Sequence, residues 1–145
     1  WGMLGYLDAP GDTEKAFLDG YFRTGDLVRA RADGALELVG RAKDLVIRGG
    51  NKIAPLEIES LFLENEDVVG ALAAGVSDEA RGEALHLAVV ARAGRALEPA
   101  RLMAWAAERL ERYKLPDEIH VLQELPAGGT GKADRSALAQ MIKGR

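Results

Sequence analysis

The sequence has no cysteine. That excludes a disulfide framework and a thiolate metal site, and it fits a reducing compartment, so the expected location is cytoplasmic. Histidine is scarce too. His86 and His120 lie far apart in the chain with no ligand spacing around either, so no metal site is expected. Aromatic residues make up 6% of the chain, and the net charge is -4 with both signs interspersed. An RNA-binding α+β domain would carry a basic face and aromatics on its strands, so nucleic acid is not an expected partner. No apolar run approaches the roughly 20 residues that span a bilayer. No signal peptide opens the chain. An initiator methionine is missing as well: the chain opens WGMLGYLDA and reads as cut from something longer.

At 145 residues, what is present amounts to one domain, or one small domain with an appendage. Pro10 and Gly11 punctuate the opening stretch. Asp12 or Thr13 is placed to cap a short helix, TEKAFLD, ended by Gly20. YFRTGDLVRARADGALELVG reads as two strands about a two-residue turn at Asp33-Gly34. Leu36 and Leu38 share one face of the second strand. AKDLVIRGGNKIA is a further extended run interrupted by Gly49-Gly50. Pro55 suits the first turn of a helix, Glu57 and Glu59 favour its positive end, and Ile58, Leu61 and Phe62 form its buried stripe.

Beyond residue 65 the pattern is strand, polar connection (SDEARGE), strand. LHLAVVA is nearly continuous in apolar residues, as in a central strand covered on both faces. ALEPARLMAWAAERLERY is the clearest helix, with Leu102, Trp105, Ala106 and Leu110 on one face. KLPDEIHVLQELP reads as an edge strand, and DRSALAQMIKGR as a terminal helix with Leu138, Met141 and Ile142 inward. The expected fold is therefore α+β: a small mixed sheet with helices packed on it, preceded by a short helix and a β-hairpin.

Three stretches carry candidate chemistry, and none is specific alone. LPAGGTGKADR (125–135) holds Gly128, Gly129 and Gly131 around Lys132, a point charge on a flexible stem that can follow negative charge building on a phosphate or carboxylate. It is not a phosphate-cradling P-loop, because Pro126 and Ala133 stand where that motif needs Gly and Ser or Thr. A plain exposed loop is the ordinary reading. In YFRTGDL, Asp26 offers two acceptor oxygens, which suit vicinal hydroxyls, although aspartate in a turn is common. In GRAKDLVIRGG, Arg41 can aid a ribose or phosphate, Lys43 sits at a pivot, and Gly49-Gly50 allow close approach to the backbone. A hairpin with surface charges explains that stretch equally well.

Taken together, GYFRTGDL, GRAKDLVIRGGNKIAPLEIE and LPAGGTGKADR resemble three motifs of the adenylate-forming enzymes, in order and at similar separations. That superfamily includes acyl-CoA synthetases, peptide-synthetase adenylation domains and luciferases. The glycine pair followed by Asn51 is more similar to the acyl-CoA synthetases. The resemblance implies that residues 1–42 are the tail of a large N-terminal adenylation domain and 43–145 a C-terminal lid domain. It implies ATP, CoA and Mg2+ as cofactors, the metal held mainly by the N-terminal domain, and a small-molecule carboxylate as substrate. Asp26 and Arg41 would hold the ribose of ATP or AMP. Lys43, with Asp44 as second candidate, would be the hinge. Lys132 would act in adenylation. Gly49 and Gly50 would line the path of the CoA thiol, where only a bare backbone leaves room.

The departures also bear on function. The superfamily's ATP-gripping motif and most of the acyl-selecting pocket are absent, so the chain alone is not expected to adenylate. Ala133 replaces the larger aliphatic residue common after the lysine. An exposed lysine in a mobile loop whose role needs its charge suggests a lysine acetyltransferase acting on Lys132 as a further partner. The competing class is a stand-alone, non-enzymatic α+β binding or regulatory module.

Overall fold

The computed structural model describes residues 2–129 and 131–144. Trp1 at the start of the apolar opening, Thr130 in the glycine loop and Arg145 at the end of the terminal helix lie outside the described residues. The chain forms two compact units, Trp1–Lys43 and Asp44–Arg145.

The first unit opens with α1, Pro10–Ala16. The helix starts earlier than the sequence suggested. Pro10 occupies its first turn, where a missing N–H costs nothing. Thr13 does not cap it: the hydroxyl donates to Ala9 O and accepts from Tyr6 N, tying down the preceding loop. Gly20 is not a helix stop either. Phe17–Leu18 (β1) pairs with Tyr21–Phe22 (β2), and Asp19 and Gly20, at φ 50° and 83°, form the turn between them. Phe17 and Phe22 meet edge to face across this small hairpin.

The second hairpin joins β3, Asp26–Ala30, to β4, Leu36–Arg41. Its loop is longer than the two residues expected. Arg31 N donates to Ala35 O and Gly34 N to Arg31 O, leaving Ala32, Asp33 and Gly34 outside the pair, with Gly34 at φ 83°. This is the three-residue hairpin that ends in a left-handed glycine. Tyr21-Phe22 does not continue into β3, because Arg23 to Gly25 break the strand.

The second unit is built on one mixed sheet. β5 (Val46–Arg48) and β6 (Asn51–Ile53) form a hairpin, α2 spans Pro55–Leu63, and β7 (Val68–Asp78) and β8 (Gly82–Ala91) form a long antiparallel pair. α3 (Pro99–Ala107) then leads to β9 (Glu118–Leu122), and α4 (Arg135–Lys143) closes the chain. The strand order is β6-β5-β8-β7, and β9 adds to β8 in parallel. Ser77, Asp78, Gly82 and Glu83 belong to the strands, so the polar connection is shorter than SDEARGE. α3 ends at Ala107 rather than running on to Tyr113.

β8 is central, and its period of two divides the core. Leu85, Leu87 and Val89 face α2 and α3, where Ile58, Phe62, Leu102 and Ala106 are buried. Trp105 meets Phe62 edge to face at 5.8 Å. Ala88 faces the other way, with Leu72 and Ala74, and receives Leu138 of α4. Small residues on that face let the terminal helix approach closely. Leu61, expected in the α2 stripe, is only half-buried, whereas Glu59 is buried. Among the described residues no helix is long and apolar enough to cross a membrane.

Candidate functional site

In the first unit, the β3–β4 register sets Asp26 directly opposite Arg41. Arg41 Nε donates to Asp26 Oδ1 at 3.0 Å. Gly25, at φ 76°, turns the chain into β3, and its carbonyl accepts from Ala42 N. The result is a partly exposed carboxylate oriented by a guanidinium at the open end of a hairpin. That donor and acceptor set fits a sugar diol with a phosphate nearby. Lys43 and Asp44 follow at once, in a single 3-10 turn, Ala42–Asp44, where the two units meet in sequence.

In the second unit, Gly49 and Gly50 are the two-residue turn of the β5–β6 hairpin, at φ 56° and 82°. An added Cβ at either position meets nothing within 4 Å. Within this chain, the left-handed backbone of the turn is what requires glycine at both positions. The hairpin is held firmly from behind. Gly49 N donates to Arg81 O and Ile47 N to Glu83 Oε2. Arg48 reaches Leu115 O at 2.6 Å and Asp117 Oδ2 at 3.2 Å. Asp117 in turn accepts from Arg81 at 2.6 Å and from Leu85 N at 2.8 Å.

The Lys132 loop is closed at its base. Gly128 N donates to Lys132 O, Gly131 N to Gly128 O, and Asp134 N to Pro126 O. Ala127 and Ala133 form an isolated antiparallel bridge. Asp134 then caps α4, its Oδ1 accepting from Ser136 N and Ala137 N. The lysine side chain is exposed, and among the described residues it makes no ion pair. The loop presents a cation on a short, tied stalk.

Sequence reasoning missed the group that anchors this stalk. Glu59 Oε2 accepts from Arg135 Nη2 at 2.9 Å, and Oε1 from Ala73 N at 2.7 Å. Burial pushes the Glu59 carboxyl above its ordinary value; the Ala73 N–H and the Arg135 guanidinium offset this only in part. A signal was present: Pro55, Ile58, Glu59 and Phe62 fall on one helical face. Asp117 and Arg48 gave no such sign, being brought together only by the tertiary fold. The two histidines, expected to be unrelated, are neighbours across β8 and β9, 3.1 Å apart at their nearest nitrogens.

A family model described as the AMP-binding enzyme C-terminal domain matches residues 57–132. This covers just over half of the 145-residue chain, and the chain belongs to that family. Sulfoacetate–CoA ligase from Cupriavidus necator is 44% identical over 137 residues, covering 94% of this chain and 27% of the relative. Oxalate–CoA ligase from Arabidopsis thaliana is 37% identical over 136 residues, covering 94% and 26%. Among solved structures, ATP-bound MatB from Rhodopseudomonas palustris superimposes with a TM-score of 0.84 at 32% identity, covering 97% of this chain and 28% of that one. o-Succinylbenzoate CoA synthetase from Bacillus subtilis, in complex with its acyl-adenylate intermediate, gives 0.82 at 32% identity, covering 94% and 28%. The chain spans about a quarter of the length of these relatives. They are CoA ligases of the adenylate-forming class, and this chain aligns with their C-terminal domain.

Proposed function

We propose that the chain works as the hinge and lid of an ATP-dependent acyl-CoA ligase. In the first half-reaction a carboxylate oxygen attacks the α-phosphorus of ATP, forming an acyl-adenylate and expelling pyrophosphate. In the second, the CoA thiol attacks the acyl carbon, forming the thioester and releasing AMP. The observation that carries this reading is the division of the chain at Lys43/Asp44. Lys132 and the Gly49-Gly50 turn belong to one compact unit, and Asp26 and Arg41 to the other. A rotation at Lys43 or Asp44 would bring first the lysine and then the glycine turn to a nucleotide held by Asp26 and Arg41.

Each role follows from local chemistry. Negative charge gathers on the phosphoryl oxygens as pyrophosphate leaves, and Lys132 supplies a cation with no competing partner among the described residues. The Gly49-Gly50 turn offers bare backbone beside which the pantetheine arm can pass. Mg2+ would arrive with ATP and be held mainly by a larger N-terminal adenylation domain, the expected partner of this chain. Val28, Leu36 and Leu38 support such a partner: they lie on one face of the β3–β4 hairpin and are 54%, 69% and 55% exposed. The substrate is a small-molecule carboxylate, and the absence of cysteine supports a cytoplasmic site of action. Exposure of Lys132 also supports its regulation by an acetyltransferase.

The test uses the complete polypeptide. Lys132→Ala lowers ATP–pyrophosphate exchange about 10²–10³-fold, the usual cost of one such electrostatic contact. It leaves thioester formation from supplied acyl-adenylate unchanged. Equal loss in both steps overturns the assignment.

A further inference from the structure

We propose that His86, His120 and Glu118 form a binding site for a divalent transition-metal ion of zinc-like ligand preference, which staples β8 to β9. The parallel register sets His86 opposite Glu118 and Ala88 opposite His120. Residues two apart on a strand share a face, so all three side chains stand together on one side of the sheet. His120 is 6% exposed and His86 is mostly enclosed, while Glu118 reaches solvent. One ligand atom from each residue lies within 4.8 Å of the others.

The geometry of the rings is informative. His86 Nδ1 and His120 Nε2 are 3.1 Å apart, the planes are inclined by only 20°, and the centroids are 5.4 Å apart. A centroid separation well beyond the nitrogen contact means that the rings meet edge to edge rather than face to face. The two nitrogens therefore point at one another and share one proton between them. Two nitrogens bound to zinc at about 2.0–2.1 Å stand roughly 3.3 Å apart in tetrahedral geometry, close to the spacing already present.

Glu118 distinguishes this cluster from a merely satisfied histidine pair. Its Oε2 lies 3.8 Å from His86 Nδ1 and its Oε1 3.8 Å from His120 Nδ1. Both distances exceed a hydrogen bond, yet one carboxylate faces both rings. A cation between the three groups takes the place of the shared proton, which leaves to solvent. Two imidazoles and one carboxylate suit zinc, with the fourth position left to water. They suit magnesium or calcium poorly, since those ions prefer all-oxygen shells. β9 runs on through residues 123–126 to the Lys132 loop, so the ion would fix the strand on which that loop is carried.

The test is titration of untagged, chelator-stripped protein with Zn2+, followed by calorimetry and thermal unfolding, and with Co2+, followed by visible absorption. The expected result is one saturable site, a rise in melting temperature, and a cobalt spectrum of low coordination number. Glu118→Gln, at an exposed position, should leave the metal-free melting temperature unchanged and weaken binding by about tenfold or more. Paired His86→Gln and His120→Gln should abolish it. Absence of saturable binding overturns the proposal, and so does equal zinc affinity in wild type and Glu118→Gln.

Discussion

Arg135 Nη2 donates to Glu59 Oε2 at 2.9 Å, and this pair joins the first turn of α4 to the middle of α2. The other oxygen of the same carboxylate holds Ala73 N of β7. One buried acid thus ties together three elements, and Arg135 follows Lys132 by only three residues. The lysine loop stands on a foot set into the core.

Arg135→Ala should lower stability by about 1–3 kcal/mol at neutral pH, since it leaves a buried acceptor without its charged partner. The cost should depend on pH. Burial already raises the Glu59 pKa above 4.5. The native state therefore holds this proton more tightly than the unfolded chain does, so the contribution is full below about pH 4.5 and is lost as pH rises through the native pKa. Removing Arg135 raises that pKa further. Urea unfolding should show a larger difference between wild type and variant at pH 7 than at pH 4. A difference that shrinks with rising pH would contradict the role assigned to Glu59.

Gly50→Ala should cost about 1–2 kcal/mol, the price of holding a side-chain-bearing residue in the left-handed region. Nothing lies within 4 Å of the added Cβ, so no clash contributes. Gly50→Asn, which tolerates that conformation, should recover most of the stability. In the complete polypeptide, thioester formation should fall in both variants if the proposed thiol path passes this turn, since either side chain would narrow it. If Gly50→Asn restores both stability and thioester formation, the glycine serves only the turn.

Gly128 and Asp134 should be coupled. An added Cβ at Gly128 would stand 2.6 Å from Asp134 Oδ2, the carboxylate that caps α4. Asp134→Ala loses the cap, at about 1 kcal/mol. Gly128→Ala should cost about 1–3 kcal/mol alone through crowding, and much less in the Asp134→Ala background. A double-mutant cycle by chemical denaturation checks this; strict additivity would mean that the loop yields without disturbing the cap.

Local pattern made much of this molecule legible. Pro55, Ile58 and Phe62 announced α2 because proline at a first turn and a 3.6-residue stripe are local signals. Leu138, Met141 and Ile142 did the same for α4. The Asp33-Gly34 turn was visible, but its three-residue length was not, since that depends on which residues pair across it. α1 was misplaced because Asp12 and Thr13 looked like caps, while Pro10 had already set the start. The pairing of Asp26 with Arg41 could be suspected from motifs but not from spacing. His86 with His120, and Arg48 with Asp117, were beyond reach. Each pair depends on β9 settling beside β8, a non-local event that no window of sequence contains.

Asp117→Ala offers the sharpest separation of scaffold from chemistry. Asp117 lies far from the glycine turn in sequence, yet it accepts from Arg48, Arg81 and Leu85 N and so holds the rear of the β5–β6 hairpin. Removing it leaves the partly buried Arg48 guanidinium without its carboxylate, and the loss of charge-assisted bonds should lower stability by about 1.5–3 kcal/mol. Hydrogen exchange should quicken at Ile47 and Gly49, whose N–H groups bind Glu83 and Arg81 O. It should stay slow in Ala73, held by Glu59. In the complete polypeptide, thioester formation should suffer more than adenylation if, as proposed, the hairpin borders the thiol path, because Lys132 stands instead on the Glu59–Arg135 foot. Equal losses in the two half-reactions would mean that the hairpin and the lysine loop are not independently supported.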